Sequence, residues 1–338
     1  MDCIKPADRS SSAVVAALAE AHESGRTLYL PGGDTYEIDQ PLEVVTTTTQ
    51  PRAVSIVGDG PGRTVLRSHV AGSLLRLRTA TPASQQAWYS SIAGLEITGD
   101  GSEDQSGVEL RDQWLGAIRD CHIHDIKQDG IAVWAEAANT GIPRLTRIER
   151  CAIWRCGRHG VRLGRASEIY ALPYQVAVDG CDVEWCGDCG IYAEADAPRI
   201  SRSIVAYCGS PTGHGGVFIT GVPGYTSGAA IVESVGFERN WPYHLGAQRA
   251  FGVRVSESAF IRATDGERSC IEAGDEYVAT LSVERCMFRS QVAVAPVVAV
   301  RGGVKLASVR LRDCAWNLKA TDARYAFDPK TRAAIEEL

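Results

Sequence analysis

Six side chains in this sequence carry the chemistry worth weighing: Asp129, His159, Arg162, Tyr192, Glu194 and His214. They share a phase. Asp129 stands just before Gly130, His159 before Gly160, and His214 before Gly215, while Arg162, Tyr192 and Glu194 follow the glycine of their own segment. Two carboxylates astride a bond can act as general acid and general base, and the pairs Asp129 with Glu194 or Asp129 with Asp188 offer that. A His or Tyr base beside an Arg can instead draw a proton from a carbon next to a carboxylate, a set met by His159, Tyr192 and Arg162. Trp134 and Phe218 fall at the same phase as Tyr192, and Asp188, His244 and Glu272 complete the candidate binding residues. Each has a plainer use. Asp before Gly suits a turn, Glu194 and Arg162 suit an exposed ion pair, and His214 between two glycines suits a loop tip.

The elements that would position these groups follow from a repeat of ragged period. Ile118-Arg-Asp-Cys-His-Ile123 precedes Asp129-Gly-Ile-Ala-Val133, and Ile148-Glu-Arg-Cys-Ala-Ile153 precedes His159-Gly-Val-Arg-Leu163. Val178-Asp-Gly-Cys-Asp-Val183 precedes Cys189-Gly-Ile-Tyr-Ala193, and Ile200-Ser-Arg-Ser-Ile-Val205 precedes Gly215-Gly-Val-Phe-Ile219. The corner-to-corner spacing varies from about 22 to about 32 residues, as in solenoids whose short strands stay fixed while turns absorb insertions. The pattern predicts an all-β parallel β-helix of roughly 8–10 coils. Alternation sends Ile131 and Val133 inward and Ala132 and Trp134 outward. Continued coil by coil, it puts Glu109, Arg162, Tyr192, Phe218, Gly246 and Glu272 on one outer face. The insertions at 166–174 and 221–228 are long enough to fold over that face.

Cysteine supports the same architecture. Cys121, Cys151, Cys181, Cys286 and Cys314 share one corner, and Cys156, Cys186 and Cys208 form a second row, each followed by Gly. Same-phase thiols on stacked coils form inward rows, whereas zinc needs four ligands converging from loops. The Cys186–Cys189 pair is therefore read as core, no cofactor is expected, and Ca2+ lacks a clear acidic cluster. His122 and His124, straddling Ile123, are read as structural. Residues 1–26 form an N-terminal cap with a helix from Ser11 to Glu23 that covers the open apolar end. Residues 27–320 form the β-helix, and 321–338 a tail with a short polar helix over 331–338.

The chain has 338 residues, 35 basic and 41 acidic, for a net charge of -6. That balance argues against a nucleic-acid partner. No apolar run approaches a membrane span, and the first ten residues carry no apolar stretch, which predicts a cytoplasmic protein without membrane contact. Oligomerisation is left open.

Leu28-Tyr-Leu-Pro-Gly-Gly-Asp-Thr-Tyr-Glu-Ile38 and Val54-Ser-Ile-Val-Gly-Asp-Gly-Pro-Gly-Arg-Thr-Val65 resemble the opening of the pectate-lyase-like superfamily of right-handed parallel β-helix proteins. The resemblance, with the coils, spans nearly the whole chain. It implies a cleft over one parallel sheet and a carbohydrate or other small-molecule substrate. Gln128-Asp-Gly130, Arg158-His-Gly160 and Gly213-His-Gly215 are similar to polygalacturonase motifs, but the paired Asp of those enzymes is replaced by Asp188-Cys-Gly190. The expectation is a polysaccharide lyase or glycoside hydrolase. An isomerase or cyclase of a small metabolite and a non-catalytic phage or surface glycan-binding protein are the alternatives.

Overall fold

A computed structural model describes residues 2–47, 52–79, 89–101, 104–135, 143–164, 172–222, 226–262, 269–274, 277–290, 297–300, 306–318, 325–327 and 334–337. Its strands stack into three parallel sheets of 13, 11 and 11 strands. Each coil contributes one short strand to each sheet, so neighbours in space lie one coil apart in sequence. The parallel β-helix is thus formed as its periodicity predicts.

Inside, like residues stack on like. In the first sheet Ile92, Ile118, Ile148, Val178 and Ile200 are in register. In the second, Ile97, Ile123, Ile153, Val183 and Val205 give way to Phe237, Phe260, Phe288 and Trp316. Those four rings lie nearly parallel with centroids 4.7 to 4.9 Å apart, the spacing that parallel strands impose. The helix Ser11–Ser24 closes the N-terminal end. Ser10 caps it by accepting from the Ala13 N–H, Gly25 ends it in the left-handed region, and Val14, Leu18 and Ala21 are buried beneath it.

The corners turn on single residues with positive φ. Asp120, Arg150, Arg202 and Glu257 occupy one such row, and Asp125, Arg155, Trp185, Tyr207 and Arg239 another. Arg, Glu, Trp and Tyr seldom adopt that conformation, and stacking supports them here. Arg150 grips Asp120 through two hydrogen bonds, Arg155 grips Asp125 likewise, and Trp185 stacks on Tyr207.

Immediately after three of the second-row corners, Arg155, Trp185 and Tyr207, lies the second cysteine row. Cys156, Cys186 and Cys208 point inward and press against the glycines that lead the third sheet. A Cβ on Gly130 would stand 2.8 Å from Cys156 Sγ, and one on Gly160 2.9 Å from Cys186 Sγ and 2.5 Å from Val183 Cγ1. Gly and Cys therefore recur together because each coil's thiol occupies the space that a side chain on the previous coil's leading residue would need. Cys121, Cys151 and Cys181 form the first inward row.

Two strands, Tyr325–Phe327 and Ala334–Glu337, pair onto the third and first sheets. The polar helix expected over 331–338 is thus corrected: its described part is strand, because an exposed edge of the first sheet offers the backbone a ladder of partners. Among the described residues no helix is long and apolar enough to cross a membrane.

Candidate functional site

The outer face of the third sheet is set by register. Glu109, Ala132, Arg162, Tyr192, Phe218, Gly246 and Glu272 form one line across successive strands. The small residues Ala132 and Gly246 interrupt it, and a depression opens beside each. One, of about 330 Å³, is lined by Glu109, Asp129, Ala132, Trp134, Arg158 and Arg162 among others. The other, of about 450 Å³, is lined by His214, Phe218, Tyr243, Gln248 and Glu272 among others. Gly246 is required by close approach, since a Cβ there would lie 2.3 Å from the Tyr243 ring and 2.8 Å from that of Phe218. A larger depression of about 520 Å³ lies over the first sheet, but it is lined mainly by Arg, Asp and Glu side chains that pair with one another. Among the described residues, the third sheet combines these depressions with aromatic rings and strongly displaced ionisation.

Between the two depressions five of the candidate residues meet. His159 stacks on Tyr192 with centroids 5.0 Å apart, and His214 meets the Tyr192 ring edge-on at 5.4 Å and Phe218 at 4.4 Å. Asp188 joins the two histidines: its Oδ1 lies 3.1 Å from His214 Nδ1, and its Oδ2 lies 3.7 Å from His159 Nε2. The His214 backbone N–H also donates to Asp188. One coil before His159, the carboxylate of Asp129 accepts from Arg162 at 3.4 Å and has Arg158 at 3.6 Å.

Burial and pairing push these groups in different directions. Burial raises the Asp129 carboxyl, outweighing its two arginines. Burial also pulls Asp188 upward, but the hydrogen bond from His214 and the nearby imidazoles leave it below the usual carboxylate value. Burial lowers His159 to about 3, so its ring is neutral at physiological pH. Burial, with the Glu194 charge nearby, lifts the Tyr192 phenol to about 12. Glu194, only 3% exposed, is raised by burial to about 7 despite Arg162 and Arg249. Asp129 Oδ1, His159 Nδ1, Arg162 Nε and Glu194 Oε2 are buried without a hydrogen-bond partner among the described residues, a concentration of unsatisfied atoms that structures rarely leave without a use.

Register also separates some candidates. Asp129 and Asp188 are two coils apart at nearly the same height on the sheet, on the order of 10 Å between backbones. Asp129 and Glu194 are two coils apart and five residues along the strand, on the order of 18 Å, which takes them out of range as a pair. Trp134 is 8% exposed and covered by the Arg111 guanidinium at 4.2 Å, so it lines its depression from beneath a lid. Phe218 is packed among Tyr192, His214 and Tyr243. Glu272, held by the Ser269 hydroxyl, borders the C-terminal depression.

His244 does not belong to this face. It takes the leading-glycine position, and that residue points inward because the strand alternation breaks there. Its ring lies within about 6.1 Å of Phe237 and Phe260 in the core, beside Asn240 at 3.2 Å, and burial lowers it to about 3. The same break puts Cys186 inside and Cys189 outside, beneath Phe218 and Tyr243, so this CxxC pair faces opposite sides of the sheet. Arg158, Tyr243 and Arg249 also belong to the site's surroundings. Arg158 and Tyr243 were legible as neighbours of the leading positions, whereas Arg249 reaches Glu194 from a turn two coils later and gives no local signal. Of the turns at 166–174 and 221–228, expected to fold over the face, residues 166–171 and 223–225 lie outside the described residues.

No protein-family model and no curated protein matches the chain. Solved structures do. ORF18 of Geobacillus virus E2 superposes with a TM-score of 0.64 at 13% identity, covering 89% of this chain and 58% of that one. The catalytic unit of the GH87 α-1,3-glucanase of Streptomyces thermodiastaticus gives 0.54 at 13% identity, covering 96% and 65%. The A-module of the mannuronan C-5 epimerase AlgE4 of Azotobacter vinelandii gives 0.51 at 13% identity, covering 96% and 95%. The chain spans less than two thirds of the viral and glucanase chains and nearly all of the epimerase module. At such identities the likeness establishes architecture alone: the chain has a right-handed parallel β-helix fold, as these structures do.

Proposed function

We propose that the third-sheet face binds a glycan and hydrolyses one glycosidic bond between Asp129 and Asp188. The opposed ionisation of these two carboxyls carries the reading. Burial raises the Asp129 carboxyl and so favours its protonated form, while the hydrogen bond from His214 favours the ionised form of Asp188. Environments that push two nearby carboxyls apart mark an acid and a base. Backbones on the order of 10 Å apart are compatible with the roughly 6.5–9.5 Å between carboxyl groups that inverting hydrolysis needs for its water. Asp129 would protonate the leaving oxygen, and Asp188 would take a proton from the water attacking the opposite face of the sugar. His159, neutral and 3.7 Å from Asp188, would orient that water or a sugar hydroxyl. Arg162 would return a positive field to Asp129 once its proton has left, and Tyr192 would support a sugar ring. An α-1,3-glucanase and a mannuronan epimerase among the structural neighbours lend this ligand class further support.

The test is product analysis on a panel of oligosaccharides. New reducing ends of inverted anomeric configuration, seen by proton NMR, are expected. An unsaturated product absorbing in the ultraviolet would replace hydrolysis with β-elimination by His159, Tyr192 and Arg162. Tight binding without turnover would make the face a glycan-binding surface.

A further inference from the structure

On the outer face of the second sheet, away from this groove, three side chains converge that the proposed reaction does not use. His122 and His124 lie two residues apart on the strand His122–His124 and so project to the same side. Glu96, on the preceding coil, is the direct cross-strand neighbour of His122. One donor atom from each of the three falls within 4.8 Å of the others.

We propose that Glu96, His122 and His124 form a site for one borderline transition-metal dication, Zn2+ or its analogues Co2+ and Ni2+. Imidazole nitrogens with a single carboxylate select such ions over Ca2+ or Mg2+, which prefer all-oxygen shells. Tetrahedral coordination at ~2.1 Å places donors about 3.4 Å apart, and His124 Nε2 already stands 3.2 Å from Glu96 Oε1. Three protein ligands leave the fourth position for water. The site is half-buried and open enough to admit it, with the His124 and Glu96 side chains 13% and 20% exposed.

The surroundings are built as metal sites are. His124 Nδ1 lies 2.7 Å from Asp125 Oδ2, which fixes the proton on Nδ1 and leaves Nε2 to ligate. Asp125 is itself clamped by Arg155 at 2.6 and 2.8 Å. Glu96 Oε2 accepts from the Gly62 N–H at 2.8 Å, leaving Oε1 for the ion. The His122 ring is braced by the edge of Trp154, with centroids 4.7 Å apart. A protonated His124 bridging Asp125 and Glu96 would account for those two acids without metal. It would still leave His122 Nε2, buried and without a hydrogen-bond partner among the described residues. A metal ligated through that nitrogen would give it a partner and tie two coils together across the sheet.

The experiment uses untagged full-length protein stripped with a chelator and titrated calorimetrically with Zn2+, with the visible spectrum of the Co2+ form and the thermal midpoint as parallel readouts. About one equivalent should bind, the Co2+ spectrum should show the intensity of low coordination number, and the midpoint should rise with metal. His122→Asn and Glu96→Gln should weaken binding at least tenfold, and His122→Asn/His124→Asn should abolish it. Asp125→Asn should weaken it about 10–100-fold. Failure of the untagged wild type to bind saturably would overturn the proposal. So would unchanged affinity in the double variant, checked as folded by circular dichroism. Should the double variant not fold, unchanged affinity in His122→Asn would do the same.

Discussion

Glu194→Gln is the perturbation whose size the structure fixes best. Glu194 is 3% exposed, one of its oxygens has no hydrogen-bond partner among the described residues, and burial raises it from the usual 4.5 to about 7. A carboxyl that is harder to ionise when folded binds more protons in the native than in the unfolded state. Stability must therefore fall as pH rises from about 4.5 and level off above about 7. At ~1.4 kcal/mol per pH unit the loss from this one group is on the order of 3 kcal/mol. Glutamine keeps the shape and cannot ionise. Urea unfolding of wild type and variant at intervals from pH 4.5 to 8 isolates the term as the difference between the two curves. The variant should gain on the wild type by about 2–3 kcal/mol across that window, with the change centred between the two values. A difference that stays flat with pH would refute the burial argument for Glu194, and with it the electrostatic picture of this end of the face.

Other consequences are equally direct. Gly160→Ala should cost about 1–3 kcal/mol in chemical denaturation, as overpacking does, and Val183→Ala should be less damaging in that background than alone, because the new Cβ would lie 2.5 Å from Val183 Cγ1. Cys151→Asp would put a carboxylate into an inward row that is 2% exposed; a loss of at least about 3 kcal/mol or failure to fold is expected, and a soluble variant of wild-type stability would show the row is not internal. His214→Ala removes the hydrogen bond that holds Asp188 down, so the acidic limb of the kcat/KM profile should move to higher pH, and an unmoved limb would exclude Asp188 as the base.

The solenoid was legible because its core is written with period two and its coils repeat, so Ile131 and Val133 inside and Ala132 outside follow from alternation alone. The line from Arg162 through Tyr192 and Phe218 to Glu272 follows from the same count. What escaped the sequence lies where alternation breaks. At the leading glycine two successive residues face inward, and His244, counted with the turn, is inside. Corners built on Arg155, Trp185 and Tyr207 in the left-handed region carry none of the Gly or Asn signals expected there, since ladders of ion pairs and stacked rings stabilise them across coils. The pairing of Asp188 with both His159 and His214 was equally invisible, because it joins three coils. Distance along a strand likewise separates Asp129 from Glu194, which coil counting alone had brought within range.

The central claim is that Asp129 and Asp188 act together on a glycan at this face. It is tested most directly by measuring oligosaccharide turnover in wild type, Asp129→Asn and Asp188→Asn under identical conditions, with folding checked by circular dichroism. The expected result is hydrolysis by the wild type and a loss of about 10²–10⁴-fold in kcat in each variant, with oligosaccharide binding retained. Turnover undiminished in either folded variant would contradict it.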